Sequence, residues 1–339
     1  MKILLITKNA ESLTGAGTYE ANLIRELSKR HQVGIYRSPA DLEQDWDIAH
    51  CTDLKHLSFK VAKALSCPLV VDAHDYYWVH FYRFFCLDLP LRFLVQKYRR
   101  MKYHFLFKQI DGMILHGKFL YDLYDHPNKY LSFYFGLDYS GIEPKAWHER
   151  ENLILFVGGD FFRKGLPRLL RALPGVLAKV PDTRLLVIGK DYWYAKALAR
   201  FLSRKLPVEF RYGMPRSEVY RTYSRSRVMV LPSEIEATPI VVAEATMAGV
   251  PPILSAVGGH PELVRDGETG FLFPLDDMSK LTEKIVACMT DRQLSERLVN
   301  NGQKFLGQFT IDKMMERLEE IYHDAIAAKS PGDRLGEHT

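Results

Sequence analysis

The chain has 339 residues, 47% of them hydrophobic and 26% charged, and a formal net charge of +5. That length suits one large or two ordinary domains at roughly 150 residues each, and the composition excludes a mainly disordered or collagen-like chain. No apolar run approaches the roughly 20 residues that span a bilayer, and the four cysteines (Cys51, Cys67, Cys86, Cys288) lack metal-binding spacing and read as reduced thiols of a cytoplasmic protein.

Lys2 to Thr7 reads as a strand, followed by a loop with Gly15 and Gly17 and a helical pattern from Thr18 to Arg30. Further strands are predicted at Val33–Tyr36, Ile48–Cys51, Leu69–Ala73 (running into His74-Asp75), Gly112–Leu115 and Tyr130–Phe135. The pattern then restarts. Asn152–Val157 is a strand, Gly158 to Gly165 a loop, and a helix continues through Leu177. Strands follow at Arg184–Ile188, Val208–Tyr212, Val228–Leu231 and Pro251–Leu254. Short apolar strands alternating with helices predict α/β architecture with two Rossmann-like, doubly wound parallel sheets. The boundary is placed near Glu143-Pro144, giving an N-terminal domain over 1–145 and a C-terminal domain over 146–310. A helix over 311–328 is expected to pack back on the N-terminal domain, and 329–339 reads as a flexible tail. In doubly wound sheets ligands bind beyond the carboxyl ends of the strands, so residues just after each strand are the candidates for chemistry, and two such domains are expected to face each other across a cleft.

The strongest signal lies between Pro232 and Pro251, where Glu236 and Glu244 stand eight positions apart on either side of an apolar helix start. Carboxylates accept several hydrogen bonds at once and suit a hydroxyl-rich ligand. The spacing alone equally fits a helix-capping carboxylate and an exposed helix acid.

This stretch resembles the E-x7-E signature of retaining glycosyltransferase family 4, of GT-B architecture. Val257-Gly258-Gly259-His260-Pro261-Glu262 and Asp266-Gly267-Glu268-Thr269-Gly270 resemble that family's downstream segments. Upstream, Phe156-Val157-Gly158-Gly159 with Arg163-Lys164-Gly165, and Phe135-Gly136-Leu137-Asp138, resemble its upstream ones. The agreement runs over roughly 135–325 and is weaker before it. The resemblance implies an enzyme that transfers a sugar from a nucleoside diphosphate sugar, with Glu236, His74 and Lys164 as the catalytic set. It places Glu236 on the hydroxyls of the donor sugar, Glu244 on the ribose and Lys164 on the diphosphate. Gly159 stands where many members have an arginine, which makes Arg163 the substitute. Met214 would border the nucleobase. Thr238, Pro239 and Ile240 stand where backbone amides approach the donor, although Pro239 has no N–H to give. In the N-terminal half Gly15 and Gly17 would let the backbone approach the donor at a helix start, and His74 resembles a histidine that nears the donor sugar. His50 and His116 also end strands and read as buried structural histidines. No metal and no cofactor are expected, since the resemblance implies that basic residues and helix dipoles handle the diphosphate. Asp45-Trp46-Asp47 precedes its strand and so lies at the wrong edge of the sheet for a donor-bound metal.

The charge is localised. Residues 76–108 hold twelve of the 41 aromatics and seven basic residues against Asp88 alone. On a helical projection Leu91, Leu94, Val95, Tyr98, Met101, Phe105 and Leu106 share one arc. That arc is expected to face the sheet, leaving Arg92, Lys97, Arg99 and Arg100 for anionic headgroups. The sequence thus predicts an enzyme peripheral on the inner face of the cytoplasmic membrane, with a lipid-linked or cell-envelope glycan acceptor and no nucleic-acid partner. A soluble transferase acting on a small molecule, or a donor-binding protein without activity, are the alternatives.

Overall fold

A computed structural model describes residues 1–8, 15–74, 76, 89–133, 139 and 141–329. The first unit opens with β1 (Lys2–Ile6), α1 (Gly15–Arg30), β2 (Gln32–Ile35), β3 (Ile48–Cys51) and α2 (Phe59–Ala64). It continues through β4 (Leu69–Ala73), α3 (Leu89–Phe107), β5 (Gly112–His116), α4 (Lys118–Leu123) and β6 (Lys129–Ser132). The second unit runs through β7 (Leu153–Val157), α5 (Leu166–Leu177), β8 (Arg184–Ile188), α6 (Trp193–Ser203), β9 (Val208–Arg211) and α7 (Arg216–Arg225). It closes with β10 (Val228–Leu231), α8 (Ile240–Met247), β11 (Pro252–Ser255), α9 (His260–Leu263), β12 (Phe271–Phe273), α10 (Met278–Thr290) and α11 (Arg292–Leu306). The last helix, α12 (Ile311–Ala328), belongs to the first unit.

Among the described residues each unit holds one six-stranded sheet whose strands pair in parallel, in the orders β2-β1-β3-β4-β5-β6 and β12-β11-β10-β7-β8-β9. Strands buried on both faces read as near-continuous apolar runs, and β7 and β10 are short runs of that kind. In the first sheet the order reverses between β1 and β3, and in the second between β7 and β10. These are the switch points where crossovers part to opposite faces and a crevice opens.

Helix α12 docks by a stripe of Met314, Met315, Leu318, Ile321, Tyr322 and Ala325, all buried. Its polar flank is tied to the first unit by Arg30 to Asp312 (2.9 Å), His31 to Glu319 (3.0 Å) and Arg317 to the Leu131 carbonyl (3.1 Å). Of the predicted tail only Lys329 is described, and its ammonium donates to the Ser66 carbonyl.

Three expectations need correction or limits. Gly15 and Gly17 lie inside the first turn of α1 rather than in a loop ahead of it. Most of the described apolar arc of α3 does not pack inward: Leu94, Tyr98, Met101 and Phe105 are 53–61% exposed, and of that arc Leu106 is buried, together with Tyr103 from outside it. Aromatic residues occur on both faces of this helix, so periodicity alone does not choose the face that packs. The strand expected over Tyr130–Phe135 is β6, ending at Ser132. Phe135-Gly136-Leu137-Asp138, Asp75 and most of the aromatic residues before α3 lie outside the described residues. Asp45-Trp46-Asp47 precedes β3, where Asp47 accepts the Lys2 backbone amide at 2.7 Å and the Trp46 indole donates to the Asp41 carbonyl at 2.7 Å.

Candidate active site

The second sheet's switch point brings two loops together. One follows β7 and carries Gly158 to Gly165; the other follows β10 and carries Pro232 to Pro239. They are joined at backbone level. Gly165 takes φ +80°, and a Cβ there would fall 1.8 Å from the Pro232 carbonyl oxygen. Only glycine fits this conformation and this approach. Gly158 is equally tight, since a Cβ on it would meet the Lys164 stem at 2.4 Å. The bare Cα of Gly158 leaves room for the Lys164 stem, and the Lys164 ammonium donates to Glu236 Oε2 at 2.6 Å. Ser233 donates to the same oxygen at 3.3 Å, and the Arg163 guanidinium lies 3.6 Å from it.

Glu236, Lys164 and Arg163 are largely withdrawn from water, so their charges interact strongly. Burial alone would raise the Glu236 pKa, but the Lys164 and Arg163 charges bring it down to about 2. Burial lowers the Lys164 pKa against the opposing pull of Glu236. Arg163 has a second set of partners: its Nε donates to Asp160 at 3.0 Å and its Nη1 to the Ile235 carbonyl at 2.9 Å. It thereby ties the two loops together, whatever it offers a ligand.

Glu244 sits in α8 and is buried. Arg216, the first residue of α7, donates to its Oε1, and the Tyr223 hydroxyl donates to its Oε2 at 3.1 Å. Burial raises the Glu244 pKa more than these partners lower it. Arg216 and Tyr223 did not emerge from sequence reasoning. The available signal was a cation in the first turn of a helix, where the dipole disfavours it. Met214 is half-buried in the β9–α7 loop; Thr238 is half-buried, and Pro239 and Ile240 are buried at the start of α8. Lys164, Arg163 and Glu236 are thus brought into one cluster, and Glu244 into a second one with Arg216.

His260, at the start of α9, is also buried, and its Nδ1 donates to the Ser255 carbonyl at 2.7 Å. Its Nε2 has no hydrogen-bond partner among the described residues. Burial lowers its pKa to about 4 against the pull of Glu236. A folded-state value below the unfolded value near 6.5 favours the neutral ring. The resulting stability is complete above pH ~6.5 and falls by about 3 kcal/mol as the pH drops through about 4. Denaturant unfolding at pH 7 and pH 4.5 should record most of this loss, and His260→Gln should flatten it. An equal slope in the variant would show that another group carries it.

In the first unit His74 follows β4 and its Nε2 lies 2.8 Å from the Thr52 carbonyl. Its ring stacks on His116 at 4.9 Å and 8°. Burial and the neighbouring His116 hold its pKa below the ordinary value. The centre of this cluster is Asp72, a fully buried carboxylate in β4. His116 Nε2 donates to it at 3.2 Å, the Tyr19 hydroxyl donates at 2.9 Å, and His50 Nε2 lies 3.0 Å away. His50 Nδ1 in turn meets the Tyr322 hydroxyl of α12 at 2.6 Å. Burial alone would raise the Asp72 pKa; the His50 and His116 imidazoles outweigh it and hold the carboxyl far below its usual range. Asp72, His74 and His116 bring three potential ligand atoms within 4.8 Å of one another, a donor set that can hold a metal ion. Sequence reasoning missed Asp72; its signal was a carboxylate in the apolar run Leu69-Val70-Val71-Asp72-Ala73.

Comparison with known proteins bears on these loops. The family model described as glycosyl transferases group 1 matches residues 142–305, which take in Lys164, Arg216, Glu236 and Glu244. Residues 142–305, just under half of the chain, are thus similar to that family. The chain is 31% identical over 147 residues to a sulfoquinovosyl transferase of Arabidopsis thaliana, covering 42% of the chain and 28% of the relative. It is 28% identical over 186 residues to a phosphatidyl-myo-inositol mannosyltransferase of Mycobacterium leprae, covering 52% of the chain and 48% of the relative. The chain thus spans about half or less of the length of these curated relatives. Among solved structures it resembles the Anabaena protein HepE in complex with UDP-glucose, with a TM-score of 0.74 at 18% identity over 96% of this chain and 100% of that one. That likeness concerns the fold, which is GT-B. No helix among the described residues is long and apolar enough to cross a membrane.

Proposed function

We propose that this chain transfers a sugar from a nucleoside diphosphate sugar to a lipid-linked or envelope glycan acceptor at a membrane surface, with retention at the anomeric carbon, as a member of family 4. The carrying observation is the Lys164–Glu236 pair across the β7–β10 switch point, at 2.6 Å. Lys164 and Glu236 neutralise each other in this pair. A diphosphate entering beside α5 offers Lys164 a second anionic partner, and the displaced Glu236 is then able to accept hydrogen bonds from the donor sugar's hydroxyls. As the glycosidic bond breaks, negative charge grows on the leaving phosphate, and Lys164 stabilises it there. Glu244, held by Arg216 and Tyr223, is oriented to accept from the ribose hydroxyls. Arg163 holds the loops and adds positive charge beside the phosphates. No metal takes part in this scheme.

The donor reading is supported by HepE, which binds UDP-glucose. The membrane reading is supported by the exposed stripe of Leu94, Tyr98, Met101 and Phe105 on α3, with exposed Lys97 and Arg100 beside it, and by the lipid substrate in the name of the mycobacterial relative. The test is thermal unfolding against a panel of uridine and guanosine diphosphate sugars, followed by detection of nucleoside diphosphate release with membrane extract as acceptor. A ligand at a hundred times its dissociation constant stabilises by about 2.7 kcal/mol. If no sugar nucleotide shifts the transition and none releases diphosphate, the proposal is wrong.

A further inference from the structure

Helix α6, in the second unit, has a surface that the donor chemistry does not use. Its inner side is small, with Ala195, Ala199 and Ser203 buried at successive turns. Its outer side carries Trp193, 79% exposed, Phe201, 58%, and Leu198, 43%, with Tyr192 (64%) just before the helix and Leu202 (44%) on its flank. Trp193 and Phe201 are eight residues apart and share one face, a stripe roughly 12 Å long at 1.5 Å per residue. Exposed apolar groups scattered singly are ordinary; a continuous stripe marks a surface that something covers.

The charges around the stripe indicate what that is. Lys190, Lys196, Arg200, Arg204 and Lys205 stand in this segment against a single acid, Asp191. The Asp191 carboxylate is already taken up, accepting the amides of Phe161 and Tyr192 at 2.7 Å each. Arg204 lies 4.2 Å over the Phe201 ring, while Lys196 and Arg200 lie over Tyr212 at 4.8 and 5.3 Å. Aromatic and aliphatic side chains flanked by cations are the arrangement of a helix lying in a lipid interface. A glycan ligand would stack on the rings but would not explain Leu198 and Leu202. An anionic bilayer meets both halves of this chemistry, its headgroups the cations and its acyl chains Trp193, Phe201 and Leu198.

We propose that α6 is a second membrane-contact surface, so that the unit holding Lys164 and Glu236 binds anionic lipid through its own helix. The proposal rests on the membrane reading given above. Full-length protein is mixed with phosphatidylcholine vesicles, with and without phosphatidylglycerol, and flotation is scored. Lipids with brominated acyl chains then report which of the four tryptophans reaches the bilayer, since bromine quenches only nearby indoles. The expected result is flotation with phosphatidylglycerol vesicles, quenching that falls by at least half in Trp193→Phe, and apparent affinity at least tenfold weaker in Arg200→Glu/Arg204→Glu. Thermal midpoints and nucleotide-induced shifts should stay at wild-type values, because these residues are exposed and outside the donor loops. Flotation with quenching unchanged in Trp193→Phe, or with affinity unchanged in the charge-reversal variant, overturns the role of α6 while leaving the α3 reading intact. Absence of flotation even at low salt overturns both.

Discussion

Glu236→Gln is expected to keep nucleoside diphosphate binding and to lose turnover by about a hundred- to a thousandfold, the usual loss when one preorganised electrostatic group is removed. Glutamine preserves the shape, so the loops joined at Gly165 and Pro232 stay in register. The charge that holds Lys164 at 2.6 Å disappears, leaving two largely buried cations, Lys164 and Arg163, without their shared acid. Removing one partner of a buried ion pair costs about 3–5 kcal/mol, and the ligand-free variant should melt lower than wild type. A diphosphate supplies the missing negative charge at the same place. Nucleoside diphosphate should therefore stabilise the variant by more degrees than it stabilises wild type. Steady-state turnover and thermal shifts, with and without nucleotide, check both halves. Unchanged turnover would remove Glu236 from the chemistry, and an equal nucleotide shift would separate Lys164 from the diphosphate. The acid limb has its own signature. Because the folded pKa of about 2 lies below the ordinary carboxylate value, the stability from this pair is complete above about pH 4.5 and is lost as the pH falls toward 2; in Glu236→Gln that part of the decline should be absent.

Asp72→Asn is expected to cost the first unit about 3–5 kcal/mol, by the same logic of a buried charge removed from its partners. The carboxylate takes a hydrogen from the Tyr19 hydroxyl and another from His116, with His50 beside it. An asparagine amide has only one oxygen to accept, and it turns an NH2 toward donors. The damage should spread to α12, because His50 also meets Tyr322. The measurement is the urea midpoint together with amide exchange in β3, β4 and α12, which should become less protected together. Wild-type exchange in α12 would show that the Tyr322 contact does not couple the helix to the carboxylate. Sugar-nucleotide stabilisation should survive, since Lys164, Glu236 and Glu244 belong to the other unit.

Much of the fold was legible because its strands are short apolar runs that end at glycine or at a polar residue: Arg184–Ile188 and Val228–Leu231 were read with the bounds they have. Helix α3 was misread because aromatic residues occur on both of its faces, so that period fixed the helix but not the side that packs. Of the candidate site, Lys164 and Glu236 were visible through the residues around them. Arg216 was not, because its partner Glu244 lies 28 positions away and they meet only through the packing of α7 on α8. Asp72 escaped for a related reason. Its partners come from α1, β3 and β5, and no local pattern links Tyr19, His50 and His116. Arg163 looked like a free phosphate ligand; its hydrogen bonds to Asp160 and the Ile235 carbonyl were not legible from residue type.

The placement of α12 has a consequence for how the protein is made. Its buried stripe, Met314 through Ala325, completes the core of the unit that begins at β1. Domains generally fold in the order in which the ribosome releases them. Here the order is inverted. All strands and helices of the second unit have left the ribosome before the last helix of the first is available. A nascent chain therefore carries the β1–β6 sheet with the surface meant for Met315 and Tyr322 still uncovered, and this unit, started first, is finished last.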